Sequence, residues 1–213
     1  MNYIIRNEEP KAYRAVEELT KRAFWNVNMP GCNEHFLLHE IRQHSDFIKE
    51  LDFVIEVDNK IVASIIFTRA TLTNEKGEVK DVLSFGPISV DPDYQRKGYG
   101  KALMAHTFLL GKKLGYPCVV IFGHPSNYVS SGFKCCKRFS VCLEGDLYPT
   151  ALLVQVLDDK FFDGKRWYYK ESPAFEIDES RYADFDKDFP QMVKQELPGQ
   201  EEFYIYSKSQ VLW

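Results

Sequence analysis

The stretch that most constrains this chain is residues 82–100, VLSFGPISVDPDYQRKGYG. Val82, Leu83, Phe85, Ile88 and Val90 make an apolar run that reads as a buried strand rather than an amphipathic helix. Downstream, Leu103, Thr107, Leu110 and Leu114, with Met104, Phe108 and Gly111 alongside, recur at three- and four-residue intervals, the period of one apolar helix face. Between strand and helix stands Gln95-Arg96-Lys97-Gly98-Tyr99-Gly100-Lys101. Its glycines remove the Cβ atoms that keep a bulky anion off the backbone. The free N–H groups of the helix start, its positive dipole end and the side chains of Arg96, Lys97 and Lys101 then converge on one place. The loop suits a phosphate; the plainer alternative is a connection that only joins strand to helix.

Two phosphate motifs fail on inspection. A Walker A loop needs glycine five residues before Gly100 and Ser or Thr after Lys101, where the chain has Gln95 and Ala102. The dinucleotide fingerprint needs a third glycine where Leu103 stands. A nucleoside triphosphatase and a Rossmann site are both disfavoured, which leaves Q-x-x-G-x-G between a strand and a helix.

With 213 residues and 45% hydrophobic content, the chain suffices for one well-filled core. A formal charge of -4 gives no general reason to expect nucleic acid, so the basic loop is a local feature. The start, MNYIIRNEEPKAYR, has the pattern of neither a signal nor a transit peptide, and no apolar run approaches a membrane span. Five cysteines, an odd number, read as reduced thiols in the cytoplasm. Cys135 and Cys136 are expected on opposite sides of a strand in a structural role, since no second CxxC completes a ligand set. His35 and His39 sit four apart, but His44 falls one position too late for the zinc pair of H-E-x-x-H, so no metal is expected and these read as solvated or core-edge histidines.

In chain order, a strand over 2–6 precedes a helix opened by Pro10, with Tyr13, Val16, Leu19, Ala23 and Phe24 on one side. Turn residues fill 26–33, and Phe36, Leu37 and Ile41 mark a second helix ending near Ser45. LDFVIEV, IVASIIFTRATL and the strand from Val82 are extended runs separated by polar turns, an antiparallel meander. Gly86-Pro87 inside the third demands a bulge or kink. After the long helix, Gly115 and Pro117 precede CVVIF, a strand parallel to the first if one helix joins them. The last 35 or so residues suggest a helix over 180–188 and a strand at FYIYS.

The kinked strand, the Q-x-x-G-x-G loop, the helix, the parallel strand and then Tyr128 four residues before Gly132-Phe133 together resemble the GCN5-related N-acetyltransferase (GNAT) family. Gly123-His124-Pro125 looks like the GHPxYY phrase of its YhbS-like subgroup, with Asn127 in place of the first tyrosine, and residues 147–177, including RWYYKES and PAFEI, resemble that subgroup's trailing strands. The resemblance implies an α/β fold with a mixed sheet, in which antiparallel strands lead into a splayed parallel pair joined by a crossover helix, with C-terminal strands added. It implies a single domain over 1–213, with 1–145 the common core and 146–213 an extension completing the sheet and the acceptor side.

By the same resemblance, acetyl-CoA is the cosubstrate and the acceptor is a primary amine of a small molecule, peptide or protein, with no nucleic acid, no membrane, and a monomer or homodimer. Ile88, Ser89 and Val90 would pair with the pantetheine arm, and a bulge N–H would hold the oxyanion. Gln95, Arg96, Lys97, Gly98, Tyr99, Gly100 and Lys101 would hold the diphosphate, and Asn127 the pantetheine end. Tyr128 would be the general acid, since a phenol is protonated at neutral pH; a packed aromatic is its alternative. No general base stands out: the strand offers Asp81 and Ser84, and His124 reads as either a base or a turn-stabilising residue. A CoA-binding sensor without turnover, or a longer acyl donor, are the rival readings.

Overall fold

The computed structural model describes residues 2–212. Strand β1 (Ile4–Asn7) leads through a 3-10 turn into helices α1 (Tyr13–Phe24) and α2 (Glu34–Ile41), then into strands β2 (Phe53–Val57), β3 (Lys60–Asn74) and β4 (Val79–Val90). Helix α3 (Tyr99–Lys113) crosses to β5 (Cys118–Phe122), followed by the short α4 (Pro125–Tyr128) and the two-residue strands β6 (Lys134–Cys135) and β7 (Val141–Cys142). Strands β8 (Leu152–Val156) and β9 (Trp167–Lys170) and helices α5 (Glu179–Asp186) and α6 (Pro198–Lys208) complete the order. The mixed sheet runs β1-β2-β3-β4-β5-β8-β6, with β9 on β3 and β7 on β9. Pairing is antiparallel except at β4/β5 and β7/β9. Asp58 and Asn59 both take positive φ between β2 and β3, the two-residue turn whose twist matches the flanking strands.

Helix α3 covers one sheet face through Leu103, Met104, Thr107, Phe108 and Gly111, packing on Leu83, Phe85, Val119 and Ile121. The buried stripe is rotated from the expected one: Leu110 is half-buried and Leu114 exposed, because an added Cβ at Gly111 would fall 2.6 Å from Leu83, so the glycine side is the one that seats on the sheet. Gly115, with φ of 90°, ends the helix as Tyr116 N–H returns to Gly111 O. The opposite face carries α1 and α2 over Val54 and Ile66, and a second cluster around Val82, Val120, Val154, Trp167 and Tyr169.

Several expectations are corrected. Helix α2 stops at Ile41, short of Ser45. PAFEI forms a 3-10 turn at Pro173–Phe175 rather than a strand. FYIYS lies within helix α6, which has Pro198 in its first turn, Glu201 near its start and Lys208 near its end, and no sheet edge to receive it as a strand. Cys136 leaves the strand to begin a 3-10 turn, so both adjacent cysteines pack against one cluster instead of facing opposite sides. His35 is fully buried: its Nε2 meets Asp186 at 2.9 Å, and Lys21 Nζ meets the same carboxylate at 2.5 Å, which fastens α5 over α1 and α2. Burial lowers the His35 pKa to about 4, leaving it neutral at pH 7.

A buried acidic cluster ties the first elements together. Arg42 donates to Glu8 at 2.7 Å and to Glu17 at 2.9 Å, while both oxygens of Asp52 and Glu8 Oε2 find no donor among the described residues. Burial, then the neighbouring Glu8, pushes Asp52 up to about 9, so the folded chain holds a proton there that the unfolded chain releases near pH 4. Folding stability contributed by that proton is complete below the unfolded value and is lost as pH rises toward the folded one. Asp52→Asn keeps a donor for Glu8 without the charge. Thermal and urea unfolding across pH 5–9 should show a flatter profile for the variant, which at pH 8.5 exceeds the parent by roughly 1–3 kcal/mol, the scale of a buried polar group without a partner.

Candidate active site

Strands β4 and β5 share one register pair, Leu83↔Val119, and then part. The cause lies on the other edge of β4. Ile65 faces Ile88 and Phe67 faces Phe85, so Gly86 and Pro87 together oppose Ile66 in a bulge that bends β4. Beyond it, Asp91 N–H donates to Val62 O, which fixes the phase of the ladder. Ser89 faces Ser64 with its backbone groups directed to β3, whereas Ile88 and Val90 turn theirs toward the gap. The Ser89 hydroxyl is also committed, 2.9 Å from Thr20 Oγ1 in the core, so Ser89 stands apart from the cleft that its neighbours line.

The cleft, about 700 Å³, runs from this gap to the start of α3. Of the residues read from the sequence, Ile88, Val90, Gln95, Arg96, Gly98, Tyr99, Gly100, Lys101, Asn127 and Tyr128 line it. Lys97 does not: its Nζ turns back to Asp93 O at 2.8 Å and over the Tyr94 ring. The Gln95 side chain donates to Val90 O at 3.3 Å, bracing the strand end. Arg96 at φ 60° and Gly98 at φ 88° hold the loop in left-handed conformations, and the first helical return is Ala102 N–H to Gly98 O. The N–H groups from Arg96 to Lys101 therefore have no acceptor among the described residues. A concave row of free amides beside Arg96 and Lys101, at a helix start, is an anion site.

Tyr128 reaches the cleft from α4, whose N-cap His124 accepts from Ser126 N–H at 3.2 Å through Nδ1. Gly132, at φ 100°, turns the chain so that Phe133 enters the core, with its ring 5.7 Å from Tyr128 and 6.1 Å from Phe85. The Y-x-x-x-G-F spacing thus has a mechanical basis: the Phe anchors what the Tyr presents. Burial, then the Tyr206 phenol, pushes Tyr128 up to about 12, and no described residue bonds its hydroxyl. Its ring lies where a Cβ on Gly123 would be, 2.4 Å away.

Sequence reasoning missed other parts of this region. Ala23, Val27 and Met104 line the cleft. Tyr206 of α6 packs edge-on against His124, with centroids 4.4 Å apart, which brings the C-terminal helix to the site. Glu171, at the end of β9, is a half-buried carboxylate; the alternation of the WYYK strand was the signal that it points inward. A second cavity of about 380 Å³ lies at the far sheet edge beside Lys134, Arg138 and Gln155. Among the described residues, no helix is long and apolar enough to cross a membrane.

Residues 49–135 match the family model of the acetyltransferase (GNAT) domain. No curated protein matches the sequence significantly. Among solved structures, the fold is similar to the GNAT family N-acetyltransferase YhbS from Escherichia coli in complex with CoA, with a TM-score of 0.70 and 21% identity over 82% of this chain and 92% of that one. A GNAT family acetyltransferase from Brucella melitensis in complex with acetyl-CoA gives a TM-score of 0.64 at 21% identity, covering 82% and 98%. The ribosomal-protein-S18-alanine N-acetyltransferase from Escherichia coli gives 0.52 at 21% identity, covering 76% and 98%. At these identities the structures establish the shared fold.

The contact at Gly123 makes a local test. Gly123→Ala should lower the unfolding free energy by about 1–3 kcal/mol, because the methyl overpacks against the Tyr128 ring. In a Tyr128→Ala background the same change should cost less than about 0.5 kcal/mol, a coupling that a denaturant double-mutant cycle measures.

Proposed function

We propose that this chain is a member of the GNAT family, whose acetyltransferase domain model matches residues 49–135, and that it transfers the acetyl group of acetyl-CoA to a primary amine by direct attack on the thioester. One observation carries the reading: a strand edge without a strand partner at Ile88 and Val90, where only Val90 O is taken, by the Gln95 side chain, a row of free amides at 96–101 and an unbonded phenol at Tyr128 lie along a single cleft. These three features match the three parts of the donor. The strand edge suits the amide-bearing pantetheine arm, which adds like a further strand. The amide row suits the diphosphate, with Arg96 and Lys101 supplying charge. The phenol sits beyond the strand edge, where the sulfur would lie.

The reaction divides among these groups. An N–H at the bulge, directed into the gap, stabilises the oxyanion that forms as nitrogen attacks the carbonyl carbon. As the carbon–sulfur bond breaks, Tyr128 gives its proton to the thiolate. A carboxyl group could not serve unless its pKa were raised far above neutral, whereas burial keeps this phenol protonated throughout the physiological range. Residues 1–145 form the acetyltransferase core in this reading, and 146–213 an extension that closes the sheet and builds the acceptor side. The five cysteines are all free thiols, which fits the cytoplasm.

Three expected outcomes test the reading. CoA should raise the melting temperature in proportion to its occupancy. Arg96→Glu with Lys101→Glu should weaken CoA binding at least about ten-fold by calorimetry, with more loss at low salt than at high. Tyr128→Phe should leave CoA affinity within about two-fold and lower kcat by about 10²–10⁴, the range for a positioned acid, in a thiol-release assay over a panel of amines. Turnover that survives Tyr128→Phe intact contradicts the acid assignment, and tight CoA binding without turnover on any amine marks a sensor instead.

A further inference from the structure

The cleft accounts for the donor and the acid but leaves the acceptor's proton without a destination. A primary amine arrives as an ammonium and attacks only after losing a proton. Strand β4 offers no carboxylate at the gap: Asp81 is exposed near its start, and Ser84 is a buried hydroxyl. The Nδ1 of His124 is engaged as the cap of α4.

Resting on the acetyl-transfer reading, we propose that Glu171 takes the proton from the acceptor ammonium, and that the acceptor meets the thioester from the sheet face opposite Tyr128. The placement rests on strand alternation. Trp167 and Tyr169 of β9 are buried and Lys170 is exposed, so Glu171 is the next inward position. The segment that carries it pairs with β3, and side chains on both sides of Glu171 reach the two parting strands. On one side, the Tyr169 phenol donates to Val120 O of β5 at 3.4 Å and lies beside Ser84 of β4. On the other, the Phe175 ring comes within 3.4 Å of where a side chain on Gly86 would begin. Glu171 stands between these two anchors in the chain, and its charge acts on the Tyr169 phenol, the group that reaches Val120 O of β5 and Ser84 of β4.

The two faces separate the two roles. Tyr128 packs with Phe85, Leu83 and Val119, on the α3 face. Tyr169 packs with Val82, Cys118 and Val120, on the other. An acid on one face and a carboxylate on the other leave the gap between them for the reacting carbon.

The carboxylate is also poised chemically. Most buried carboxylates elsewhere have cationic partners: Glu8 and Glu17 meet Arg42, and Asp91 meets Arg22 and Lys60, while Asp52 lies against Glu8 far from the cleft residues. Glu171 forms no hydrogen bond or ion pair with any described residue, and desolvation alone raises its pKa to about 7. The titratable group facing it is the Tyr169 phenol, which its charge drives further up; Lys170, beside it in sequence, points outward. A base with this value is ionised enough at neutral pH to accept a proton and strong enough to hold it briefly.

The protons balance. The ammonium gives one to Glu171, the neutral amine forms the carbon–nitrogen bond, and the carbon–sulfur bond breaks as Tyr128 protonates the sulfur. The second nitrogen proton then restores the Tyr128 phenol, and Glu171 releases its own to solvent, so one proton leaves per turnover.

The test uses the full chain, acetyl-CoA as donor, and the fastest amine from a panel of diamines, amino-acid amides and lysine peptides. For the parent, kcat/KM for the amine should rise with unit slope and level off near pH 7. Glu171→Gln should lower it about 100-fold at pH 7. The plateau near pH 7 should vanish, and the deficit should shrink toward pH 9.5 as the amine loses its proton unaided. CoA affinity and melting temperature should stay at parent values, which separates proton transfer from folding or donor binding, and Glu171→Asp should restore part of the rate and the limb. An unchanged rate and pH profile in Glu171→Gln overturns the assignment while leaving acetyl transfer standing. No turnover by the parent on any amine overturns the transfer reading, and this assignment with it.

Discussion

A single register pair, Leu83↔Val119, joins the two parallel strands at the centre of this sheet, and the whole cleft depends on their parting there. The bulge at Gly86-Pro87 gives β4 one more residue than β3 across the same span, so the strand bends away from β5 while staying paired to β3. An open gap in the middle of a sheet is costly, because strand edges expose N–H and C=O groups that ordinarily pair. Here that cost leaves the backbone of Ile88 and the N–H of Val90 available to a ligand that can bond like a strand, while the Gln95 side chain holds Val90 O.

The surroundings hold the gap open. On one face, Phe85, Phe108, Phe133 and Tyr128 interlock as an aromatic cluster beneath α3. On the other, Tyr169 reaches Val120 O of β5 and Ser84 of β4 through its phenol, and Phe175 covers Gly86 of β4. The loop at the strand end is constrained as well: Arg96 adopts a left-handed backbone that a non-glycine residue takes at some expense, and its amide row is thereby gathered in one direction. The same segment carries the binding geometry and the local strain.

Much of this could be read from residues near one another in sequence. The strand, loop, helix and parallel strand are local patterns, and Gly86-Pro87 announced the bulge because a regular central strand does not accept it. Gln95, Gly98, Gly100 and Tyr128 fall within one short stretch for the same reason. What stayed hidden depends on distant partners. Ser89 and Lys97 lie in the right motif, yet Thr20 and Asp93 O take their side chains elsewhere. Phe203, Tyr204, Ile205 and Tyr206 read as a strand by composition but lack an edge to join, so Pro198 and the end charges set a helix instead. His35 reads as solvated or core-edge from sequence because its cover, α5, arrives through Asp186 from 151 residues away. Glu171 gave no local signal beyond its place after an alternating strand.

The most direct measurement of the central claim is a crystal structure with acetyl-CoA bound. The account predicts the diphosphate within hydrogen-bond distance of the amides between Arg96 and Lys101, the pantetheine arm paired to Ile88 and Val90, and the thioester in the gap beyond Leu83 and Val119. A donor seated instead against Lys134 and Arg138 at the far sheet edge, with β4 and β5 closed on each other, would contradict it.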